Sequence, residues 1–232
     1  VSAGQVVLVR VVVNRFGFVF LDTGFGLNGR ASLDLGSNEV VTGLAQQADG
    51  KLIVSGTVDR PGFTGSDFFV ARFTLHGQLD ATFGSGGAAF ADFGAIDTAR
   101  SLAVRADGTI ALAGDTNDLG GVQFAVAQFT PSGSADAAFR GNGRAVLRLA
   151  GQDVAQAIAF VGSDRLVVGG YSAIFNLRQF MLAAFQTTPL PDRDADGVTD
   201  VLDTCPYYSD PGQVDTDLDR RGDACECTDQ DG

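Results

Sequence analysis

The feature that most constrains this chain is internal repetition. Residues 21–29 read LDTGFGLNG, residues 79–87 LDATFGSGG and residues 135–143 ADAAFRGNG. The phenylalanines at their centres, Phe25, Phe83 and Phe139, stand 58 and 56 residues apart. Each unit continues with a turn and an apolar run: ADGKLIVSG at 48–56, ADGTIALAG at 106–114 and SDRLVVGG at 163–170. An aromatic segment closes each: DFFVARFTLHG at 67–77, QFAVAQFTPSG at 123–133 and QFMLAAFQ at 179–186. A fixed period of this length marks a chain built from copies of one supersecondary unit, stacked to share a core.

The unit is made of strands. Asp49-Gly50 and Asp107-Gly108 lie between alternating segments, a strong hairpin signal. The run Phe69-Val70-Ala71-Arg72-Phe73 alternates with period two. In the first unit the pattern predicts strands near 30–35, 40–46, 51–57 and 67–74. Four antiparallel strands in a unit of this size correspond to a propeller blade. On this reading the LDxxFG turn carries the chain from the last strand of one blade to the first of the next. Its phenylalanine packs between blades and its glycines supply positive φ.

These motifs resemble the delta-60 repeat, a bacterial family with the pattern LDxTFGxxG, DGKIxVxG and an ARL/ARF-type strand. The resemblance spans residues 21–186 as repeats 21–78, 79–134 and 135–186, and in the last Ser163-Asp164 replaces Asp-Gly. Residues 1–20 fit as the end of a degenerate preceding unit. The resemblance implies an all-β, propeller-type fold of about three four-stranded blades. Closed rings use about four blades or more, so an incomplete ring or an open array is expected. It implies no catalytic residues.

Residues 187–232 form a different segment. From Asp192 onward there are 13 acids and 3 arginines, net −10, whereas residues 1–191 carry 15 acids and 13 bases, net −2. A calcium loop of about twelve residues draws oxygens from positions 1, 3, 5, 9 and 12 and from the carbonyl at 7, with glycine at 6. Asp192, Asp194, Asp196, Asp200 and Asp203 meet that spacing, with Val198 at position 7 and Gly197 at position 6. Asp215, Asp217, Asp219, Asp223 and Glu226 meet it again, with Arg221 at position 7 and Arg220 in place of the glycine. Asp229 begins a third set that breaks off, so a fragment of a longer protein is expected.

All three cysteines, Cys205, Cys225 and Cys227, lie in this core-poor segment, which points to staples and an oxidising compartment. The whole run, DxDxDGxxDxxDxCP followed by DPxQxDxDxDxxGDxC, is similar to the thrombospondin type-3 repeat over residues 192–226. That resemblance implies bound calcium, an irregular fold with almost no hydrophobic core, and a disulfide most simply between Cys205 and Cys225. Cys227 competes for Cys225 or pairs elsewhere.

Residues 24–29 match GxGxxG, but a dinucleotide site needs a helix to follow, and residues 30–36 read as strand and turn. His76, the single histidine, reads as a turn residue, and Arg72 as structural. No GxSxG motif occurs, and acid pairs such as Asp115 with Asp118 remain open for a hydrolase. The acid block disfavours nucleic acid. Val6 to Phe20 is too short, and with Arg10 and Arg15 too charged, for a membrane span.

The leading expectation is a secreted or cell-surface, non-catalytic structural or interaction protein. Its β-repeat domain displays a surface to a protein or carbohydrate partner, and calcium stiffens the acidic spacer. The alternatives are a propeller-fold hydrolase or lyase acting on sugar polymers and a lectin-like binding module.

Overall fold

A computed structural model describes residues 5–35, 38–59, 65–149, 151–175 and 177–187. In the tail it describes residues 194–195, 205, 207, 209, 211–214 and 224–225. The chain divides into two units, Val1–Thr187 and Thr188–Gly232. Every regular element is a strand, and no helix among the described residues is long and apolar enough to cross a membrane.

The first unit opens with β1 (Val6–Val9), β2 (Val11–Val13), β3 (Val19–Leu21) and β4 (Arg30–Leu33). Two four-stranded antiparallel sheets follow. The first holds β5 (Glu39–Gln46), β6 (Leu52–Asp59), β7 (Ser66–Phe73) and β8 (Ala88–Ala91) in sequential order. The second holds β9 (Ile96–Val104), β10 (Ile110–Asp118), β11 (Gly121–Phe129) and β12 (Arg144–Leu147), also in sequential order. A third sheet holds β13 (Gln152–Val161), β14 (Arg165–Ile174) and β15 (Leu177–Gln186). Among the described residues it has three strands. The all-β, blade-by-blade architecture expected from the repeats is therefore present, in sheets that do not close.

The Asp-Gly pairs make the hairpins they promised. Gly50 N donates to Gln47 O at 2.9 Å and Gly108 N to Arg105 O at 2.9 Å, closing the turns that join β5 to β6 and β9 to β10. The frame of the sheets differs from the frame of the repeats. The LDxxFG turn does not lead from one blade to the next, as its position at the head of each repeat suggested. Asp80 N donates to Arg72 O and Arg72 N to Gly87 O, folding residues 79–87 back onto the end of β7 so that β8 pairs with β7. The passage between sheets comes one strand later, after β8 and after β12. Consequently β4 pairs with β1 and not with β5. Residues 6–33 supply the last two strands of a preceding blade, with the β2–β3 hairpin inserted between them.

The core lies between sheets. One cluster joins Val6, Phe25 and Leu33 to Val54, Phe69 and Phe73. A second joins Ile53, Phe68 and Phe83 to Ala99, Ile110 and Phe129. A third joins Leu112's neighbours Ala111 and Ala113, with Phe124 and Phe139, to Ala155, Leu166 and Val168. All eight residues of β7 are buried, because sheets cover both of its faces. The joints are keyed by glycine. A Cβ on Gly114 would sit 2.9 Å from the Phe68 ring, and one on Gly170 3.0 Å from the Phe124 ring. Phe180 follows Phe124 by the same 56 residues that separate Phe124 from Phe68, yet it is 75% exposed. At the other end of the array Val7 and Val9 are exposed.

Candidate functional site

Two constructions recur at the blade joints of the first unit. One is a guanidinium latch. Arg72 leaves β7 and donates from Nε to Asp80 Oδ2 at 2.8 Å, from Nη2 to Thr82 Oγ1 at 3.3 Å and from Nη1 to Pro131 O at 2.7 Å, in the turn after β11. Its guanidinium carbon lies 4.7 Å from the centre of the Phe83 ring. Arg10 repeats the pattern with Asp22 at 2.7 Å, Leu75 O at 2.7 Å and Phe25 at 4.9 Å. The third copy has Gln128 in the arginine's place, donating to Asp136 Oδ2 at 2.7 Å. Around Asp80 the Thr82 hydroxyl, outweighing burial, and then Lys51 and Arg72 hold the carboxyl well below the usual carboxylate range. Arg72 is thus structural, as its uncharged counterpart Gln128 implied. His76 sits in a turn and offers its carbonyl to Gly26 N at 2.7 Å.

The second construction is an acid at the head of each innermost strand. Glu39, Asp97 and Asp153 are 58 and 56 residues apart and accept from the main chain four residues earlier. The bonds are Leu35 N to Glu39 Oε1 at 2.7 Å, Phe93 N to Asp97 Oδ2 at 2.8 Å and Leu149 N to Asp153 Oδ2 at 2.7 Å. In Glu39 and Asp153 the second carboxylate oxygen is buried and makes no hydrogen bond, whereas the Thr116 hydroxyl acts on the Asp97 carboxyl. Asp97 has company: oxygens of Asp67, Asp92 and Asp97 all lie within 4.8 Å of one another. Burial, reinforced by the charges of Asp67 and Asp92, pushes the Asp97 carboxyl up to about 6, against the pull of the Thr116 hydroxyl and Phe93 N. The sequence reading missed this group. Its signal was the spacing of Glu39, Asp97 and Asp153, which matches that of the three phenylalanines.

Asp115 and Asp118 do not form a pair of free acids. Asp115 is ion-paired with Arg100, and Asp118 with Arg148 at 3.5 Å. Residues 24–29 enter strand β4, with no helix behind them to face a phosphate.

In the second unit the structure places Asp194, half-buried, and the disulfide Cys205–Cys225, with Cα atoms 5.4 Å apart and the cysteines 20 positions apart in sequence. Cys205 is buried. The remaining residues read as calcium ligands lie outside the described residues: Asp192, Asp196, Val198, Asp200, Asp203, Asp215, Asp217, Asp219, Arg221, Asp223 and Glu226. So does Cys227.

The comparisons with known families fall on the same two units. Residues 47–83 and 105–139 match a family described as a domain of unknown function (DUF5122), a beta-propeller. Residues 191–213 match the thrombospondin type 3 repeat. The matched propeller segments each run from the hairpin turn to the latch phenylalanine, Phe83 or Phe139. A search among curated proteins finds none that matches the chain. By fold and by these matches, the chain is similar to propeller repeat proteins in its first unit and to thrombospondin type 3 repeats in its second.

Proposed function

We propose that this chain is a structural or interaction protein of the cell exterior, in which a β-repeat domain displays a binding surface and a calcium-stiffened acidic segment spaces it from its surroundings. The observation that carries the reading is the Cys205–Cys225 disulfide in an acid-rich segment that matches the thrombospondin type 3 repeat. A disulfide persists in an oxidising compartment. A segment with net charge −10 from Asp192 onward repels itself unless cations neutralise it. The two proposed loops are Asp192, Asp194, Asp196, Val198, Asp200 and Asp203, and Asp215, Asp217, Asp219, Arg221, Asp223 and Glu226. In the first unit Asp115 and Asp118, the acids weighed for hydrolysis, are each held by an arginine, which favours display. The apolar side chains presented at the ends of the array and on the β2–β3 hairpin, among them Phe16, Phe18 and Phe20, give such a surface material for contact.

The test is limited proteolysis of the whole oxidised chain, in EDTA and in millimolar calcium, with cleavage sites mapped by mass spectrometry. Calcium is expected to suppress cleavage within residues 188–232, and an Asp196→Asn and Asp217→Asn double variant should lose that protection. Cleavage in the segment at the same rate with and without calcium would rule out the calcium-stiffened spacer.

A further inference from the structure

The internal joints of the array follow one plan. Each sheet offers its neighbour a face whose third strand carries a phenylalanine and, two residues on, a valine. These are Phe68 and Val70 in the first sheet and Phe124 and Val126 in the second, all buried. The next sheet receives them on its first two strands, with Ala99, Ile110 and Leu112 at one joint and Ala155, Leu166 and Val168 at the other. The third sheet makes the same offer. Phe180 and Leu182 follow Phe124 and Val126 by 56 residues, and both are exposed. No strand among the described residues pairs with the outer edge of β15, where β7 has β8 and β11 has β12.

The opposite end of the array lacks the complementary strands. β1 and β4 stand where the third and fourth strands of a sheet stand: Val6 pairs with Leu33 as Phe68 pairs with Ala91, and Arg10 latches Asp22 as Arg72 latches Asp80. The first and second strands of that sheet have no counterpart among the described residues, so the inner edge of β1 has no strand beside it there. Along that edge runs a groove of about 540 Å³ whose lining includes Val41, Leu44, Leu52 and Val54. Fifty-eight residues further on, Ala99, Leu102, Ile110 and Leu112 form the receiving surface of the second sheet. There Ala99 is fully buried, and a Cβ on Gly43 of the first sheet would come within 2.6 Å of the Leu102 side chain. In the groove, Val41 and Leu44 are 45% and 65% exposed.

We infer that copies of this chain join head to tail, β15 of one adding antiparallel to the inner edge of β1 in the next, so that a three-stranded and a two-stranded sheet become one. An unpaired edge is a template for a strand of another chain. The apolar pattern selects the register. β1 turns Val6 and Leu8 toward the first sheet. Of the two facings that a period of two allows, one sets Phe180 and Leu182 on that same side, over the groove, as Ile53 joins Leu102 at the next joint. It also brings Met181 and Ala183 beside the exposed Val7 and Val9. A second copy satisfies both ends at once, whereas an unrelated peptide in the groove leaves Phe180 and Leu182 in water. The contact is heterologous, so it closes a ring or runs on as a filament. Its residues all lie in the first unit, and its failure is therefore separate from any failure of the calcium-stiffened segment.

The test is sedimentation velocity of the whole chain over a concentration series reaching about 100 µM, an affinity range in which a weak specific contact shows. Three forms are compared: wild type, Leu182→Lys at the tail end and Leu44→Lys at the head end. Both leucines are exposed, so each variant should keep the wild-type unfolding transition. Wild type should self-associate, and each variant alone should do so at least about tenfold more weakly, because a lysine is driven into the centre of the contact. An equimolar mixture of the two variants should recover a one-to-one pair, since the intact tail of one meets the intact head of the other. Amide exchange in β1 and β15 should slow as wild type associates. A wild type that stays monomeric throughout the series would overturn the contact and leave the groove to another occupant. So would association that Leu182→Lys abolishes and Leu44→Lys leaves intact, which would mean that the third sheet pairs with its own copy.

Discussion

Gly133, in the turn after β11, lies flat against the Phe83 ring of the preceding blade: a Cβ there would come within 2.9 Å of the ring and 2.7 Å of Gly84 N. Gly77 stands in the same relation to Phe25. Gly133 also holds φ +86°. Gly133→Ala therefore combines left-handed strain with overpacking, and we expect a loss of about 2–4 kcal/mol in urea unfolding. Gly86→Ala is the control. Its φ is +64° but the space around it is open, so only the strain term of about 1–2 kcal/mol should appear. Equal costs for the two variants would mean that the ring contact contributes nothing.

Arg72 and Asp80 are both largely buried, so removing one strands the other. Arg72→Leu is expected to cost about 3–5 kcal/mol. Arg72→Gln should cost clearly less, because the chain itself places Gln128 against Asp136 in the equivalent position. A glutamine variant as damaged as the leucine one would show that the inter-blade bond to Pro131 O, which glutamine is too short to copy, carries the latch.

The acid limb of stability should report on the same latch. Asp80 is depressed, and so is the exposed Asp107, which, against some desolvation in its turn, Arg105 and Thr109 hold at about 2. A carboxylate depressed in the folded state contributes stability that is present above its ordinary value near 3.8 and lost as pH falls toward the folded value. Asp97, raised to about 6, works the other way, its contribution being lost as pH rises through that value. A difference measurement isolates Asp80. Thr82→Val removes a 2.6 Å bond to Asp80 Oδ1 and should cost about 1 kcal/mol at pH 6, a cost that shrinks only as pH falls through the depressed folded value of Asp80. A cost independent of pH would contradict the assignment.

The disulfide closes a loop of 20 residues within the second unit. Loop-closure entropy assigns such a bridge about 3 kcal/mol. Reduction, or Cys205→Ser, should speed proteolysis of residues 188–232 while leaving the unfolding transition of the first unit in place. A shift of that transition on reduction would mean that the two units are energetically coupled.

The strands were legible because their signals are local. Asp49-Gly50 and Asp107-Gly108 demand turns, and alternation in 67–73 demands a two-faced strand, so boundaries fell within about two residues. The grouping of strands into sheets was not, because it is decided by contacts far apart in sequence. The most conspicuous motif, the turn at 79–87, is conspicuous for its glycines and its latch phenylalanine, and it joins partners within a sheet. The true passage carries a quieter repeat, Asp34-Leu35-Gly36 and Asp92-Phe93-Gly94, followed by the acids Glu39 and Asp97. The acid cluster escaped for the same reason. Asp67 and Asp97 are thirty positions apart, and only the packing of one sheet on the next brings them together. In the tail the cysteine pairing implied by the family resemblance is the pairing found.

The glycine-and-phenylalanine keying of the joints has a further consequence. The second and third sheets each receive a phenylalanine of the sheet before, Phe68 at Gly114 and Phe124 at Gly170, so these two boundaries are keyed alike and face the same way. A cut made at equivalent points in two units joins a matching pair of surfaces, whichever units are chosen. Such a protein changes length in whole steps of one unit by recombination, with no new interface to invent, and the bare Phe180 marks the side on which the next step would be added.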